Sequence, residues 1–352
     1  MSDKKNRIIG LMSGTSLDGL DIVYVEFDKR NYKNFKIYYT ETISYSKSWK
    51  DALAKAINRS DKELKDLDIE YGKLIAAKVK GFISENNIQT IDFIASHGHT
   101  ILHEPEKGIT LQIGNGQIIS DSTKQKVVCD FRTQDVQFGG QGAPLVPIGD
   151  AFLFSQYDAC LNLGGFANIS FKENNKRIAF DICPVNIVLN FYVNKLGLEY
   201  DDKGQIASTG EINIELLEQL NVLSYYKKSY PKSLGLEWVQ STIFPLIDSK
   251  DLKYSTILKT FCEHVAIQIA NSTKKSSNLF ITGGGVFNEY LIERIKQYSN
   301  LEVIIPDDQI INYKEALIFA FLGLLRLDNQ VNCLSSVTGA KKDHSSGVIF
   351  TP

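Results

Sequence analysis

The pattern of apolar and polar positions predicts that the chain opens as a β-meander. Residues 7–12 form an apolar run, residues 20–27 alternate like a second strand, and residues 36–43 are a third candidate strand. Residues 60–63 form a capping box, which predicts the start of a long helix. Apolar residues then recur on one helical face, at Leu64, Leu67, Tyr71, Leu74, Ile75, Val79 and Phe82. Residues 91–96 follow as a buried strand.

A similar order of elements begins near residue 159. Residues 159–163 predict a strand, Gly164-Gly165 a turn, and residues 166–171 a second strand. Apolar residues at i+4 spacing then mark a helix, at Ile257, Phe261, Val265 and Ile269. A strand over residues 279–282 precedes three glycines, after which Asn288 is expected to cap another helix. The recurrence predicts a duplicated α/β architecture.

Composition and charge exclude several classes of protein. The 352 residues are enough for two domains, and 43% hydrophobic with 23% charged residues is ordinary globular composition. A net charge of -2 gives no basis for nucleic acid or an anionic membrane as the main partner. The chain shows neither a signal-peptide pattern nor an apolar stretch near the roughly 20 residues that span a bilayer. Its five cysteines are far apart, without a CxxC pair. We therefore expect a cytoplasmic protein.

The loop over residues 13–19 is a candidate phosphate site. Its two glycines let backbone N–H groups approach an anion, and Ser13, Thr15 and Ser16 add hydroxyl donors. Asp18 is placed to hold water on a magnesium ion that binds the phosphates. The loop matches neither GxxxxGK[ST] nor GxGxxG, and a simple hairpin turn explains its glycine and aspartate equally well.

Two further glycine turns follow predicted strands. Gly164-Gly165 alone is explained by an ordinary turn. Three consecutive glycines at residues 283–285 cost up to about 1 kcal/mol each in backbone entropy, which indicates that something passes close to the backbone. A nucleotide against a helix N-terminus is one candidate. Three such turns spread over two domains favour an actin-like ATPase cleft.

Two segments are specific enough to suggest a family. Residues 10–19 read GLMSGTSLDG and residues 139–147 read GGQGAPLVP. Shorter matching segments continue nearly from end to end: SHGHT at 96–100, LQIG at 111–114, DFR at 130–132, LNLGG at 161–165, PKS at 231–233, GGGVFN at 283–288, EA at 315–316 and SVTGA at 336–340. With these segments the chain resembles the anhydro-N-acetylmuramic acid kinase family of the sugar kinase/Hsp70/actin superfamily.

The resemblance implies an α/β fold of two actin-like (ribonuclease H-like) domains with ATP in the cleft between them. The expected domains are residues 1–125 with about 338–352, and residues 126–337. The implied enzyme uses ATP, magnesium and water to open 1,6-anhydro-N-acetylmuramic acid and to phosphorylate the freed O6. Its products are N-acetylmuramate 6-phosphate and ADP, in cell-wall recycling, and the resemblance also implies a homodimer. Two alternatives stay open, a kinase for a different sugar and a catalytically silent nucleotide- or sugar-binding regulator.

The resemblance also places binding residues. The expected nucleotide-binding residues are Ser13, Gly14, Thr15, Ser16, Leu17, Asp18, Gly19, Leu20, Gly164, Gly165, Gly283, Gly284 and Gly285. The expected sugar-binding residues are Ser96, His97, Arg132, Gln141 and Asn186. The fork of Arg132 suits a carboxylate or a phosphate, although a structural pairing with Asp130 is an equal alternative. Three histidines at 97, 99 and 103 also permit a metal site, but the resemblance assigns His97 to the sugar.

The family's catalytic base lies in a segment that reads roughly FDTGPGN, and residues 180–186 here read FDICPVN. Asp181 is therefore the candidate base, with capping of the next helix as the alternative role. Ile182, Cys183 and Val185 replace the family's threonine and two glycines, which is expected to narrow the site or move its backbone. Glu315, expected to open an apolar helix over residues 316–325, is either a second acid near the sugar or a first-turn glutamate that favours the helix dipole.

Overall fold

The computed structural model describes residues 5–14 and 16–352, so the expected nucleotide-binding residue Thr15 lies outside the described residues. The strands are β1 Lys5–Ser13, β2 Gly19–Asp28, β3 Phe35–Ser44, β4 Phe93–Glu104, β5 Ile109–Ile113, β6 Val127–Cys129, β7 Ala159–Leu163, β8 Phe166–Glu173, β9 Lys176–Pro184, β10 Asn278–Thr282, β11 Glu302–Ile304 and β12 Val348–Phe350. The α-helices are α1 Lys47–Ala54, α2 Asp61–Glu85, α3 Gly116–Thr123, α4 Thr133–Gln137, α5 Pro147–Leu153, α6 Asn186–Asn194, α7 Gln205–Thr209, α8 Ile214–Asn221, α9 Leu236–Trp238, α10 Phe244–Asp248, α11 Tyr254–Ser272, α12 Glu289–Ser299, α13 Asp308–Leu327 and α14 Ser335–Thr338.

The chain divides into two compact units whose boundaries differ from the sequence-based ones. Unit 1 runs to Ser155 and resumes over Tyr313–Pro352, and unit 2 is Gln156–Asn312. Residues 126–155 belong to unit 1 because β6 pairs in parallel with β4 in its sheet. Most of α13 also belongs there, since Gly323 packs so closely on Phe93 and Ala95 that a Cβ would lie 2.8 Å from each.

Unit 1 is built on a mixed sheet of seven described strands in the order β3-β2-β1-β4-β6-β12, with β5 paired to β4. β1, β2 and β3 form an antiparallel meander, and β4 then pairs in parallel with β1. The long helix α2 connects the meander to β4. Its capping box is formed as expected, because the hydroxyl of Ser60 accepts from the N–H of Glu63 and the Glu63 carboxylate accepts from the N–H of Ser60. Six of the seven residues expected on its apolar face are buried, and Leu74 is half-buried.

Unit 2 repeats the same order over its five described strands, β9-β8-β7-β10-β11. β7, β8 and β9 form an antiparallel meander, β10 pairs in parallel with β7, and β11 pairs in parallel with β10. In each unit the first strand of the meander therefore lies between its second strand and a parallel fourth strand. This is the ribonuclease H-like strand order. The expected fold class and the internal duplication are confirmed.

The order brings the polar turns to one edge of each sheet. The loop after β1, the glycine turn after β7 and the glycine turn after β10 all follow the carboxyl ends of central strands, where open α/β sheets place their ligands. Beneath these turns most residues of the central strands are buried in the core of their unit. No helix in the described part of the chain is long and apolar enough to cross a membrane.

Candidate active site residues

The loop between β1 and β2 has an exposed part and a structural part. Leu17 has a positive φ of 61°, and its N–H donates to the carbonyl of Gly14 at 3.3 Å, which forms a tight turn. Leu20 is buried in the core of unit 1, so this expected nucleotide-binding residue offers only its backbone. Asp18 is exposed, and a Cβ added at Gly14 would meet only Ser16. Among the described residues of the loop, Ser16 and Asp18 are exposed and Gly14 is partly exposed.

The hydroxyl of Ser13 is buried inside unit 1. It accepts a hydrogen bond from the Tyr45 hydroxyl at 2.7 Å and pairs with Nδ1 of His99 at 2.9 Å. Tyr45 in turn pairs with the hydroxyl of Tyr71 at 2.6 Å. Burial lowers the pKa of His99 to about 4, so this ring is neutral at pH 7. Ser13 is thus the polar end of a neutral network that holds β1 against α2.

His97 and Arg132 form one rigid pair in unit 1. Nε and Nη2 of Arg132 donate to Nε2 of His97 at 3.0 and 2.9 Å. Since an arginine can only donate, the proton of His97 lies on Nδ1 and is donated to the carbonyl of Gly98 at 2.9 Å. Burial, and then the charge of Arg132, lowers the pKa of His97, so the ring stays neutral. Asp130 instead accepts from the N–H of Thr133 at 3.3 Å, so the structural alternative for Arg132 is His97 and not Asp130.

The other expected sugar-binding residues of unit 1 lie on neighbouring segments. Ser96 is fully buried on β4, and its hydroxyl accepts from the N–H of Gly98 at 3.3 Å. Gln141 has an exposed side chain, while its N–H donates to the carbonyl of Thr338 at 2.8 Å. A third donor from Arg132, Nη1, reaches the carbonyl of Gly142 at 2.6 Å. Arg132 therefore connects the histidine on β4 to the glycine-rich segment over residues 139–147.

Glu315 lies within a helix and does not open one. The helix α13 begins two turns earlier, at Asp308, because Asp307 accepts from the N–H of Ile310 at 2.9 Å and caps it. The expected role as a first-turn glutamate is therefore wrong. The carboxyl keeps access to solvent, but the protein around it partly desolvates it and raises its pKa. Arg132 opposes this rise and Asp21 adds to it.

Asp181 lies inside β9 of unit 2, where a loop holds it from two sides. Its Oδ2 accepts from the N–H of Leu234 at 2.9 Å, and its own N–H donates to the carbonyl of Lys232 at 3.3 Å. The Tyr225 hydroxyl donates to the carbonyl of Asp181 at 2.6 Å. Burial raises the pKa of this carboxyl, and the Leu234 N–H partly opposes the rise. The half-buried carboxylate is fixed in place with an elevated basicity.

The same contacts exclude the alternative role of Asp181 as a helix cap. Helix α6 begins at Asn186 after Val185, without a side-chain cap. A β-bulge instead accounts for the local geometry, because Asn168 pairs with Asp181 and Ala167 with Cys183, which leaves Ile182 as the extra residue. Bulges re-aim side chains and are common beside active sites. The segment over residues 231–233 is one of those that resemble the family. Its Lys232 carbonyl accepts from the N–H of Asp181, so the segment supports the candidate base.

The three replacements in the FDICPVN segment lie in the core of unit 2. Ile182, Cys183 and Val185 are each at most 1% exposed. They pack in the apolar cluster that includes Leu163 and Val188. The replacements therefore change packing in the core of unit 2, while the Asp181 carboxylate accepts from the N–H of Leu234.

The two glycine turns of unit 2 and the start of α6 meet at the end of β7. The N–H groups of Val185 and Asn186 donate to the carbonyls of Gly165 and Gly164 at 2.8 and 3.2 Å. Gly285 packs on Leu163, where a Cβ would lie 2.7 Å from the Cβ of that residue. The backbone that approaches Gly283 and Gly285 is thus the chain's own β7. Gly284 differs, since a Cβ there would meet nothing within 4 Å.

Replacing Gly283 by alanine is expected to destabilise the protein by about 2–6 kcal/mol. Gly283 has φ +87°, and a Cβ would lie 2.6 Å from Oδ1 of Asn162 and 2.8 Å from the carbonyl oxygen of Leu163. A strained φ costs about 1–3 kcal/mol, and overpacking a further 1–3. Chemical denaturation should show this loss, whereas Gly284→Ala, with open space around its Cβ, should leave stability unchanged. Equal stabilities of the two variants would contradict the described packing.

Comparison with known proteins identifies the family. A family model described as anhydro-N-acetylmuramic acid kinase matches residues 6–352. The anhydro-N-acetylmuramic acid kinase of Sulfurimonas denitrificans is 33% identical, with 97% of this chain and 98% of that protein aligned. The enzyme of the same name from Saccharophagus degradans is 34% identical over 99% of this chain and 100% of its own length.

Solved structures match more distantly. The activator of the 2-hydroxyisocaproyl-CoA dehydratase from Clostridium difficile, with bound ADPNP, covers 92% of this chain and 97% of its own at a TM-score of 0.46 and 14% identity. A ROK family glucokinase from Streptomyces griseus, in complex with glucose and AMPPNP, covers 90% and 99% at a TM-score of 0.41 and 13% identity. The full-length match to the family model, together with relatives near one-third identity, shows that the chain belongs to the anhydro-N-acetylmuramic acid kinase family.

Proposed function

We propose that this chain uses ATP to open 1,6-anhydro-N-acetylmuramic acid with water and to phosphorylate the freed O6, giving N-acetylmuramate 6-phosphate and ADP. Membership of the family makes it a kinase, a phosphotransferase with an alcohol group as acceptor. The observation that carries the hydrolytic step is Asp181, a fixed carboxylate with a raised pKa in the family's base segment. A different sugar is the first alternative, motivated by the replacements at Ile182, Cys183 and Val185, but these side chains lie in the core of unit 2. A silent regulator is the second alternative.

Asp181 is proposed to act as the general base. Its carboxylate takes a proton from a water molecule whose oxygen bonds to the anomeric carbon, and the bond between that carbon and O6 breaks. The freed O6 then bonds to the γ-phosphorus of ATP, and ADP leaves with the electron pair of the broken phosphoanhydride bond. The N–H of Leu234 keeps the carboxylate oriented throughout, and the Tyr225 hydroxyl keeps its strand in register. Glu315, with its raised pKa, is proposed as a second acid near the sugar.

Arg132 is proposed to bind the lactyl carboxylate of the sugar. In the described chain three of its N–H groups are engaged by His97 and Gly142. A guanidinium has five, so two stay available to an anion while the others fix the plane of the fork. Ser96, Gln141 and Asn186 are proposed to contribute to sugar binding from their own segments. Holding the fork before the substrate arrives reduces the entropy lost on binding.

The accessible turns fit a nucleotide and its metal. A Cβ at Gly14 would meet only Ser16, and at Gly284 nothing, so a phosphate chain can approach both backbones closely. Asp18 offers exposed carboxylate oxygens, the ligand type that magnesium prefers, directly or through water. When bound, magnesium would reduce the negative charge of the phosphates during transfer. We propose Gly14 to Leu20, Gly164-Gly165 and Gly283 to Gly285 as the nucleotide-binding segments. We further propose a homodimer in the cytoplasm, where ATP is available.

An assay of ADP release tests this function. Purified protein is given ATP and magnesium with 1,6-anhydro-N-acetylmuramic acid, with free N-acetylmuramic acid, or with no sugar. The proposal expects ADP release that depends on the anhydro sugar. Release only with the free sugar would instead favour a simple sugar kinase. Nucleotide binding without release under any of these conditions would favour the silent regulator.

A further inference from the structure

A buried carboxylate in unit 1 has no part in the reaction described above. Asp135 lies in α4, fully buried, directly after the segment that carries Arg132. Its Oδ1 accepts from the hydroxyl of Thr338 at 2.8 Å and from the thiol of Cys333 at 3.0 Å. Its Oδ2 accepts from the N–H of Gly142 at 2.7 Å. A buried charge is costly unless it is fully hydrogen-bonded, so these three donors must be held in place together.

Gly142 receives contacts on both sides of its backbone. Its N–H donates to Asp135, and its carbonyl accepts from Nη1 of Arg132 at 2.6 Å. The residue has φ +67°, a conformation that a glycine adopts without strain. The preceding residue, Gln141, donates its N–H to the carbonyl of Thr338 at 2.8 Å. The neighbouring Gly140 N–H donates to the backbone carbonyl of Asp135 at 2.9 Å.

These bonds form one continuous path from Asp135 to the proposed sugar-binding groups. The path runs from Asp135 through Gly142 to Arg132, and from Arg132 to Nε2 of His97. A side branch through Thr338 fixes the backbone of Gln141. Movement of the backbone at Gly142 would therefore shift the guanidinium of Arg132 and the exposed side chain of Gln141 together.

We propose that Asp135, with Thr338, is a positioning residue for the acceptor sugar: it fixes the Gln141–Gly142 peptide and thereby the orientation of Arg132 and Gln141. This rests on the proposed function, in which Arg132 and Gln141 bind the sugar. Asp135 touches no substrate and acts only through the peptide. Its effect is therefore expected on sugar binding and not on nucleotide binding.

The same atoms also resemble a metal site. Asp135, Cys333 and His344 have ligand-type atoms within 4.8 Å of one another, and Nε2 of His344 lies 3.6 Å from Oδ1 of Asp135. The thiol of Cys333, however, donates its proton to Asp135, and burial raises the pKa of that thiol. A metal requires the thiolate, which this environment disfavours. The metal content of the purified protein separates the two assignments.

The test uses Thr338→Val, which removes the hydroxyl at nearly constant volume, and Thr338→Ser, which keeps it. Asp135→Asn is expected to have the larger effect, because the NH₂ group of the amide would face groups that themselves donate to Asp135. We expect Thr338→Val to raise KM for the anhydro sugar roughly tenfold, the effect of one lost charge-assisted hydrogen bond, with KM for ATP unchanged. The serine variant should restore the wild-type KM. Asp135→Asn should show a larger rise of the same kind.

Amide hydrogen exchange gives a readout that does not depend on activity. The Gly142 N–H should be protected in the wild type, and its exchange should become at least about tenfold faster in Thr338→Val and Asp135→Asn. An inactive wild type with this exchange pattern would refute the proposed function but not the positioning of the peptide. Parallel changes in both KM values, loss of stability with KM unchanged, or stoichiometric zinc in the wild type would each overturn the positioning role.

Discussion

Replacing Asp181 by asparagine is expected to lower kcat with the anhydro sugar by about 10²–10⁴-fold, the usual contribution of a general base. The amide oxygen still accepts from the N–H of Leu234, and the backbone bonds to Lys232 and Tyr225 do not involve the side chain. The variant therefore removes proton acceptance and preserves geometry. The coupled ADP-release assay measures the loss, with Asp202→Asn, at an exposed aspartate of the same unit, as the matched control.

The raised pKa of Asp181 also predicts how activity and stability change with pH. Burial raises the pKa of Asp181 above its ordinary 3.8, and only the deprotonated form accepts a proton, so wild-type kcat/KM should rise with pH through this raised pKa. The contribution of Asp181 to the free energy of unfolding has the opposite pH dependence. Because its pKa is higher in the folded than in the unfolded state, this carboxyl stabilises the fold fully below its unfolded-state pKa. That stabilisation is lost as the pH rises through its folded-state pKa. The Asn variant lacks this loss and should unfold at or above the wild-type temperature at pH 7. Wild-type activity in the Asp181→Asn variant would show that Asp181 is not the general base.

Replacing Arg132 by lysine is expected to lower kcat/KM for the sugar by about 100-fold. The change keeps the charge but loses the planar fork, which donates to His97 and to Gly142 at once. Two lost charge-assisted hydrogen bonds at about 1.5 kcal/mol each correspond to roughly that factor. Steady-state kinetics should place the loss in KM for the sugar.

Two controls delimit that prediction. KM for ATP should not change, because Arg132 contacts none of the proposed nucleotide-binding segments of unit 1 among the bonds described for it. Arg30→Lys makes the same substitution at an exposed Arg–Asp pair and should be silent. A normal KM for the sugar in Arg132→Lys would leave the arginine with a purely structural role.

The sequence predicts local features of the fold well because short-range rules determine them. The capping box at Ser60, the buried face of α2 and the bounds of β7 depend on residues within a few positions of one another. The start of α13 was missed although its signal was present, since Asp307 stands three residues before Ile310. The apolar run after Glu315 gives a stronger helix signal than this polar first turn, so the pattern predicts a helix start that is too late.

The site could be predicted only as far as family segments name residues. The resemblance points to Asp181 and Arg132 in this way, and both stay predictions. It also points to the three glycines at residues 283–285, where β7 is the close neighbour of Gly283 and Gly285. Other residues in and around the candidate site are held by partners that are distant in sequence. Ser13 and His99 are 86 positions apart, and Asp135 and Thr338 are 203 apart. No periodicity or spacing rule connects such pairs, because only the tertiary fold brings them together. Ser13 and His99 pair on β1 and β4, and Asp135 and Thr338 lie in α4 and α14.

The most direct test of the central claim is the fate of the oxygen atom of water. The reaction is run with ATP and 1,6-anhydro-N-acetylmuramic acid in ¹⁸O-labelled water, and the products are examined by mass spectrometry, with free N-acetylmuramic acid in the same water as the control for spontaneous exchange. The account predicts N-acetylmuramate 6-phosphate with one ¹⁸O at the anomeric position and none in its phosphate. A phosphorylated sugar that keeps its anhydro ring, or label in the phosphate, would contradict it.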